Sequence, residues 1–363
     1  MERTLIENPE DTEETIALIR ELLGSGDRSF PVHLLGEITA ALSKRATHGD
    51  MVRQLLRLCS VCPGGLGVTL VEGRLLYRVA GEQSFVWGSR IFHVVDGFVL
   101  DPNVPIRIIR GEPCWVERAA MTNVQRVCWN GTVGKPYPPR SITRIESTGE
   151  EPCYAVNYRA GNGDYVGHIV MGTTEGQQFN EVDGLTVADG EPAYRARTDT
   201  EYRFIWGAGN VCAGQHVTVP IVVDDVPYVR VLSKDGTMIL VQGNSMLANS
   251  QRILGPSNVA GRIAYATGTP LSSDLQLLGT RKRVFHLDNW WTPDRANSPF
   301  VVYETEEGVW ANFTWLCKGR LRPNATSLEP DGHTLRIRVD TEHEPREFDL
   351  RALGIIPAKP ATT

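Results

Sequence analysis

Short runs of strand-forming residues, punctuated by residue–glycine pairs, most limit how this chain can fold. Tyr154 to Arg159 and Tyr165 to Val170 flank Asn162-Gly163, and Tyr228 to Leu232 and Met238 to Val241 flank Asp235-Gly236. Val301 to Glu304 and Val309 to Leu316 flank Glu307-Gly308 in the same way. Glycine and its polar partners take the positive φ of a tight turn, and the flanking runs are rich in β-branched and aromatic residues. Leu335 to Val339 reads as a further strand, and Ser245 to Ile253 as a short helix on the β framework. Many short strands with recurring turns predict a sandwich or barrel, and the lack of a fixed sequence period counts against a propeller or solenoid.

The start of the chain has a different period. Asn8 is a good N-cap, Pro9 suits the first helical position, and Glu10, Asp11, Glu13 and Glu14 favour the positive end of the dipole. Ile16, Ile19, Leu22 and Leu23 make one apolar face, and Gly24 is placed to stop the helix. A second helix is predicted after Pro31, with Val32, Leu35, Ile38 and Leu42 at helical spacing. Asp50 caps a third, carrying Met51, Val52, Leu55, Leu56 and Cys59, which Cys62-Pro63-Gly64-Gly65 ends. From Gly65 the period changes to two. The expected architecture is therefore α+β: N-terminal helices plus a small antiparallel sheet (1–130), a linker (131–150) and a predominantly β domain (151–363). The linker is read from Gly131 to Arg140, where stacked Pro and Gly disrupt both helix and sheet.

Charge and composition narrow the function classes. The net charge is -6, and no basic run exceeds Lys44-Arg45 or Arg281-Lys282-Arg283, which counts against nucleic-acid binding. No window approaches the length of an apolar membrane-spanning helix, and the polar N-terminus lacks the apolar core of a signal peptide. The seven cysteines are odd in number and scattered, as in a reduced, intracellular protein. Cys59-x-x-Cys62 has no second pair at structural-zinc spacing, so neither metal nor cofactor is expected.

Phe85 to Asn103 is where chemistry concentrates. Asp96-Gly97 is a hairpin signal between Arg90–Val95 and Phe98–Leu100, with His93 before the turn and Asp101 after it. A two-residue turn pairs His93 with Leu100 and puts Asp101 on the other sheet face. A three-residue loop or bulge instead sets His93 opposite Asp101. The words His93-Val-Val-Asp-Gly-Phe-Val-Leu-Asp101-Pro-Asn, with the helical start and the sheet, resemble the end of a transglutaminase-like domain over roughly residues 30–105. That resemblance implies acyl transfer or amide hydrolysis, with His93 as base, Asp101 as its orienter and a thiolate as nucleophile. The family carries its cysteine at a helix start. The matching helix here begins near Thr47–Asp50 without one, leaving Cys59 as the candidate. The alternative is that His93 is a half-buried strand residue and Asp101 a turn cap.

Trp290, Trp291, Trp310 and Trp315 form a second concentration, either a binding face or core. In a single unbulged strand, Trp310 and Trp315 point to opposite faces. Two functions follow. One is a non-enzymatic structural or binding protein, a subunit of a larger assembly with a degenerate transglutaminase-like N-terminal domain and a protein partner or second copy. The other is an active cysteine acyltransferase or amidohydrolase. The incomplete catalytic set favours the first.

Overall fold

The computed structural model describes residues 69–356 except 72–73, 79–83, 88–89, 102, 270, 330–332 and 341–343. Among these, every regular element is a strand, and every sheet is a small antiparallel meander of sequence neighbours. Eight such sheets follow one another among the described residues: A (69–93), B (98–133), C (142–175), D (181–214), E (216–250), F (252–285), G (288–317) and H (321–349). Five have four strands, H has three, and B and E have five because two short strands share the first position. Sheets D to G begin at residues 181, 216, 252 and 288, a step of about 36 residues that marks a structural repeat.

The described residues form two compact units: those up to Tyr158 with Val170–Thr174, and Arg159–Ile169 with those from Glu175 onward. Within the first, Phe85 and Trp87 of sheet A pack against Leu100, Ile106, Ile108 and Trp115 of B. The other face of B, through Ile109, Cys114, Val116 and Val127, packs on Ile142, Ile145, Tyr154 and Val156 of C. Within the second unit, Phe204 of D meets Val229, Val231 and Val241 of E, and Tyr228 of E meets Ile263 of F. Leu275 and Leu277 of F pack with Val301 and Tyr303 of G, and Phe300, Val302 and Val309 of G pack with Leu335, Ile337 and Val339 of H. Strand alternation explains this stacking. In B, E and G an inner strand carries apolar residues on both faces, so one sheet serves two cores.

The α+β expectation is overturned for the described residues, which hold no helix and already enter the sheet series at Thr69. The helices expected between Pro9 and Cys59 lie outside the described residues. With the mixed fold goes the transglutaminase-like resemblance: the region from Thr69 to Val133 is two stacked meanders rather than a helix packed on a sheet. The expected helix at Ser245–Ile253 is instead the edge strand Ser245–Ser250 and the start of Arg252–Val259. The segment 131–150, read as a linker, contains the strands Thr132–Val133 and Ile142–Ser147, and Tyr137 bridges to Gln125.

Candidate functional site

Asp96-Gly97 does turn the chain, with Phe98 N donating to Val95 O at 3.0 Å and Gly97 at φ 83. The arms do not pair. Arg90–His93 pairs with Ser84–Trp87 in sheet A, whereas Phe98–Leu100 pairs with Glu112–Ala119 in sheet B. His93 is exposed at the end of its strand. Asp101 is buried, 2% exposed, and accepts from Gln125 Nε2 at 2.6 Å, Asn103 N at 2.9 Å and Asn103 Nδ2 at 3.0 Å. Gln125 Oε1 in turn accepts from Ile142 N at 3.0 Å, so this network ties sheet B to the first strand of C. Cys59 lies outside the described residues.

The other acids of the described core are also committed. Glu117 takes both Nε and Nη2 of Arg126 and the indole N–H of Trp115. Glu304 accepts from Asn289 Nδ2 and Leu321 N, both at 2.8 Å. The thiols of Cys114, Cys128 and Cys212 sit where burial favours the neutral form. Burial pushes Cys212 up to about 11 and raises Cys114 and Cys128 still further, Cys128 with a smaller push from Glu117. Such thiols are poor nucleophiles. Among the described residues no group of three or more His, Cys, Asp and Glu is placed to hold a metal, and no helix is long and apolar enough to cross a membrane.

One pocket of about 270 Å³ opens in the first unit beside Trp129, Thr132, Glu151 and Gly172. Gly172 has φ +56, and a Cβ there would lie 2.2 Å from Glu151 Oε2, so the glycine makes room for the carboxylate. Glu151 is the sole ionisable side chain in its lining. The other side chains of that lining are apolar or threonine, so Glu151 has no second acid or base there with which to form an acid–base pair.

The tryptophans are organised in a way the sequence does not announce. Val309–Leu316 is two strands: Asn312, at φ 50, turns the chain between Gly308–Ala311 and Thr314–Cys317. This turn sets Trp310 opposite Trp315, while Trp310 also faces Tyr303 and Tyr303 faces Trp290. The four rings therefore form one row across all four strands of sheet G, since directly paired residues share a face. Burial falls off toward one end. Tyr303 is 3% exposed, Trp290 and Trp310 pack partly buried on the same core, and Trp315 on the outer edge strand is 49% exposed.

Each indole is held. Trp290 Nε1 donates to Ser257 Oγ at 3.1 Å, Trp310 Nε1 to Thr305 Oγ1 at 2.9 Å and Trp315 Nε1 to Glu307 O at 3.2 Å. Lys282 Nζ lies 5.7 Å from the Trp310 ring centroid, near enough for a cation–π contact. Gly308 permits the close approach of the last two strands: at φ +132, a Cβ would meet Cys317 O at 2.2 Å. A large ring that is fixed, flat and half exposed at an open edge has the makings of a binding anchor.

No family model matches the chain, and no curated protein matches it. Solved structures give low-level likenesses. BBS1N in complex with ARL6DN is 12% identical, with 69% of this chain and 92% of that one covered and a TM-score of 0.30. The WD40 β-propeller domain of Doa1 is 12% identical, with 70% and 84% covered and a TM-score of 0.26. A prolyl endopeptidase is 10% identical, with 93% and 61% covered and a TM-score of 0.34. None of these assigns the chain to a family.

Proposed function

We propose that this chain is a non-catalytic protein-binding scaffold of small antiparallel sheets, and that the outer end of the sheet G aromatic row is its contact surface for a protein partner. The observation that carries this reading is Trp315, 49% exposed yet oriented by its bond to Glu307 O. Phe313, 37% exposed in the adjoining turn, extends the apolar surface. Anchors of this type gain area at little entropic cost because their rotamer is already set. The committed acids and neutral thiols of the described core support binding over acyl transfer.

The size of the native protein tests this reading. In a gentle extract the wild type is expected to elute as a species larger than its 40.2 kDa chain, and Trp315→Ala to elute at monomer size with unchanged thermal stability. Elution of the wild type as a monomer would remove the proposal.

A further inference from the structure

The pocket of the first unit contains an acid that the chain leaves without a partner. The other described glutamates of this unit each hold an arginine. Glu112 has Arg90, Glu117 has Arg126, Glu146 has Arg144 and Arg107, and Glu150 has Arg110. Among the described glutamates of this unit, Glu151 alone has neither an ion pair nor a donor to its carboxylate. Its hydrogen bonds are those of its backbone, with Glu151 N donating to Thr148 Oγ1 at 3.3 Å and Thr148 N to Glu151 O at 3.2 Å. They fix it at the head of the strand Pro152–Arg159, where Gly172 N donates to Pro152 O at 2.7 Å.

Bare backbone makes the space for this carboxylate. A Cβ on Gly172 would lie 2.2 Å from Glu151 Oε2 and 3.1 Å from its Cδ. Trp129 and Thr132, also in the lining, are directly paired across two strands and so share one sheet face. Trp129 Nε1 is spent on Ile109 O at 3.3 Å, so the ring offers a ligand apolar surface and π electrons but no donor. Val127 and Pro152 add buried apolar wall, and the hydroxyls of Thr132 and Thr173 can accept hydrogen bonds. No lysine, arginine or histidine lines the space. Lys135, next in sequence to Gly134 of the lining, has its Nζ 5.9 Å from the Tyr137 ring centroid instead.

We propose that this pocket binds a small organic cation of the alkylammonium type, its charged head on Glu151 and its stem against Trp129, Val127 and Pro152. One carboxylate matches one positive charge. A calcium ion asks for about six to eight oxygen ligands, and among the described residues no three His, Cys, Asp or Glu side chains converge. An ammonium has three N–H donors to share between a carboxylate and hydroxyls, and an aromatic ring attracts it further. The volume of about 270 Å³ lies just below the ~300–1,000 Å³ of sites for drug-sized ligands, which suits a cation the size of a side chain. Such a cation is supplied as a free amine or as the lysine side chain of another protein. The inference rests on this pocket and not on the aromatic row of sheet G.

Calorimetric titration of the full chain at matched ionic strength tests it, with butylammonium, butanol and butyrate as probes. Saturable binding of butylammonium is expected, with none of butanol or butyrate. Glu151→Gln is expected to weaken butylammonium binding by roughly tenfold or more, the scale of one lost charge-assisted hydrogen bond. That variant keeps the fold, because no described group of the chain bonds the carboxylate it replaces. Glu151→Asp, which retains the charge on a shorter stem, is expected to fall between. Glu150→Gln removes the same charge one residue away, from an acid that has its arginine, and is expected to leave binding unchanged. Tighter binding of Nα-acetyl-lysine methylamide than of butylammonium identifies a protein lysine as the natural occupant, and equal or weaker binding a free amine. No saturable binding of butylammonium, equal binding by Glu151→Gln and wild type, or the same loss from Glu150→Gln as from Glu151→Gln, would overturn the assignment.

Discussion

Glu117→Ala is expected to cost about 3–5 kcal/mol in urea unfolding, the scale for removing one partner of a buried ion pair. Glu117 is 0% exposed, and its Oε2 holds Arg126 Nε at 3.0 Å and Nη2 at 2.8 Å while Oε1 takes Trp115 Nε1 at 3.2 Å. Alanine would leave the Arg126 charge half-buried with only the Phe98 ring, 3.6 Å from its guanidinium carbon, for company. The double change Glu117→Leu with Arg126→Leu is expected to lose far less, because apolar replacement of a whole buried pair is often neutral. A double variant less stable than Glu117→Ala would show that the pair contributes more than its own burial.

Phe300→Ala is expected to cost about 3–5 kcal/mol, while Trp315→Ala on the same sheet leaves stability almost unchanged. Phe300 is fully buried in the core that sheets G and H share, and its ring lies 6.2 Å from that of Trp291. A cavity there removes packing that the rigid neighbouring strands cannot restore. Trp315 has no such core on its outer side. Chemical denaturation of the two variants separates a residue that holds the sheet from one that the sheet presents. A loss of several kcal/mol from Trp315→Ala would assign the whole aromatic row to packing.

Local turns were legible in the sequence, but strand partners were not. Asp235-Gly236 joins the expected strands, with Leu232 paired to Met238. Asp96-Gly97 also makes its turn, yet hands the chain from one sheet to the next. A glycine with positive φ fixes the reversal; what pairs beyond it depends on which faces need covering. Ser245–Ile253 read as helical because a register shift in its pairing with Met238–Gln242 interrupts the alternation: Met246 faces Val241 and Ala248 faces Leu240, leaving Leu247 unpaired. The run Val309–Leu316 read as one strand because Asn312-Phe313 lacks glycine, although Asn tolerates positive φ.

The repeat was invisible for a related reason. Stacked sheets ask only for apolar residues at alternate positions, so sheets D to G keep their spacing without keeping a motif. Without a visible period the β-rich part reads as a sandwich or barrel, and helix-like periodicity at the start of the chain gives the α+β reading. Of the candidate site, the density of tryptophans was visible at once, and their alignment into one row required the Asn312 turn.

Photo-crosslinking from position 315 tests the central claim most directly. A benzoylphenylalanine placed there, in the cells that make the protein, is compared with one at Met121, which is 94% exposed in the first unit. The account expects discrete, reproducible adducts from position 315, with a second copy or another protein, and none of these from position 121. No adduct from 315, or the same pattern from both positions, would contradict a scaffold that binds through the open end of its aromatic row.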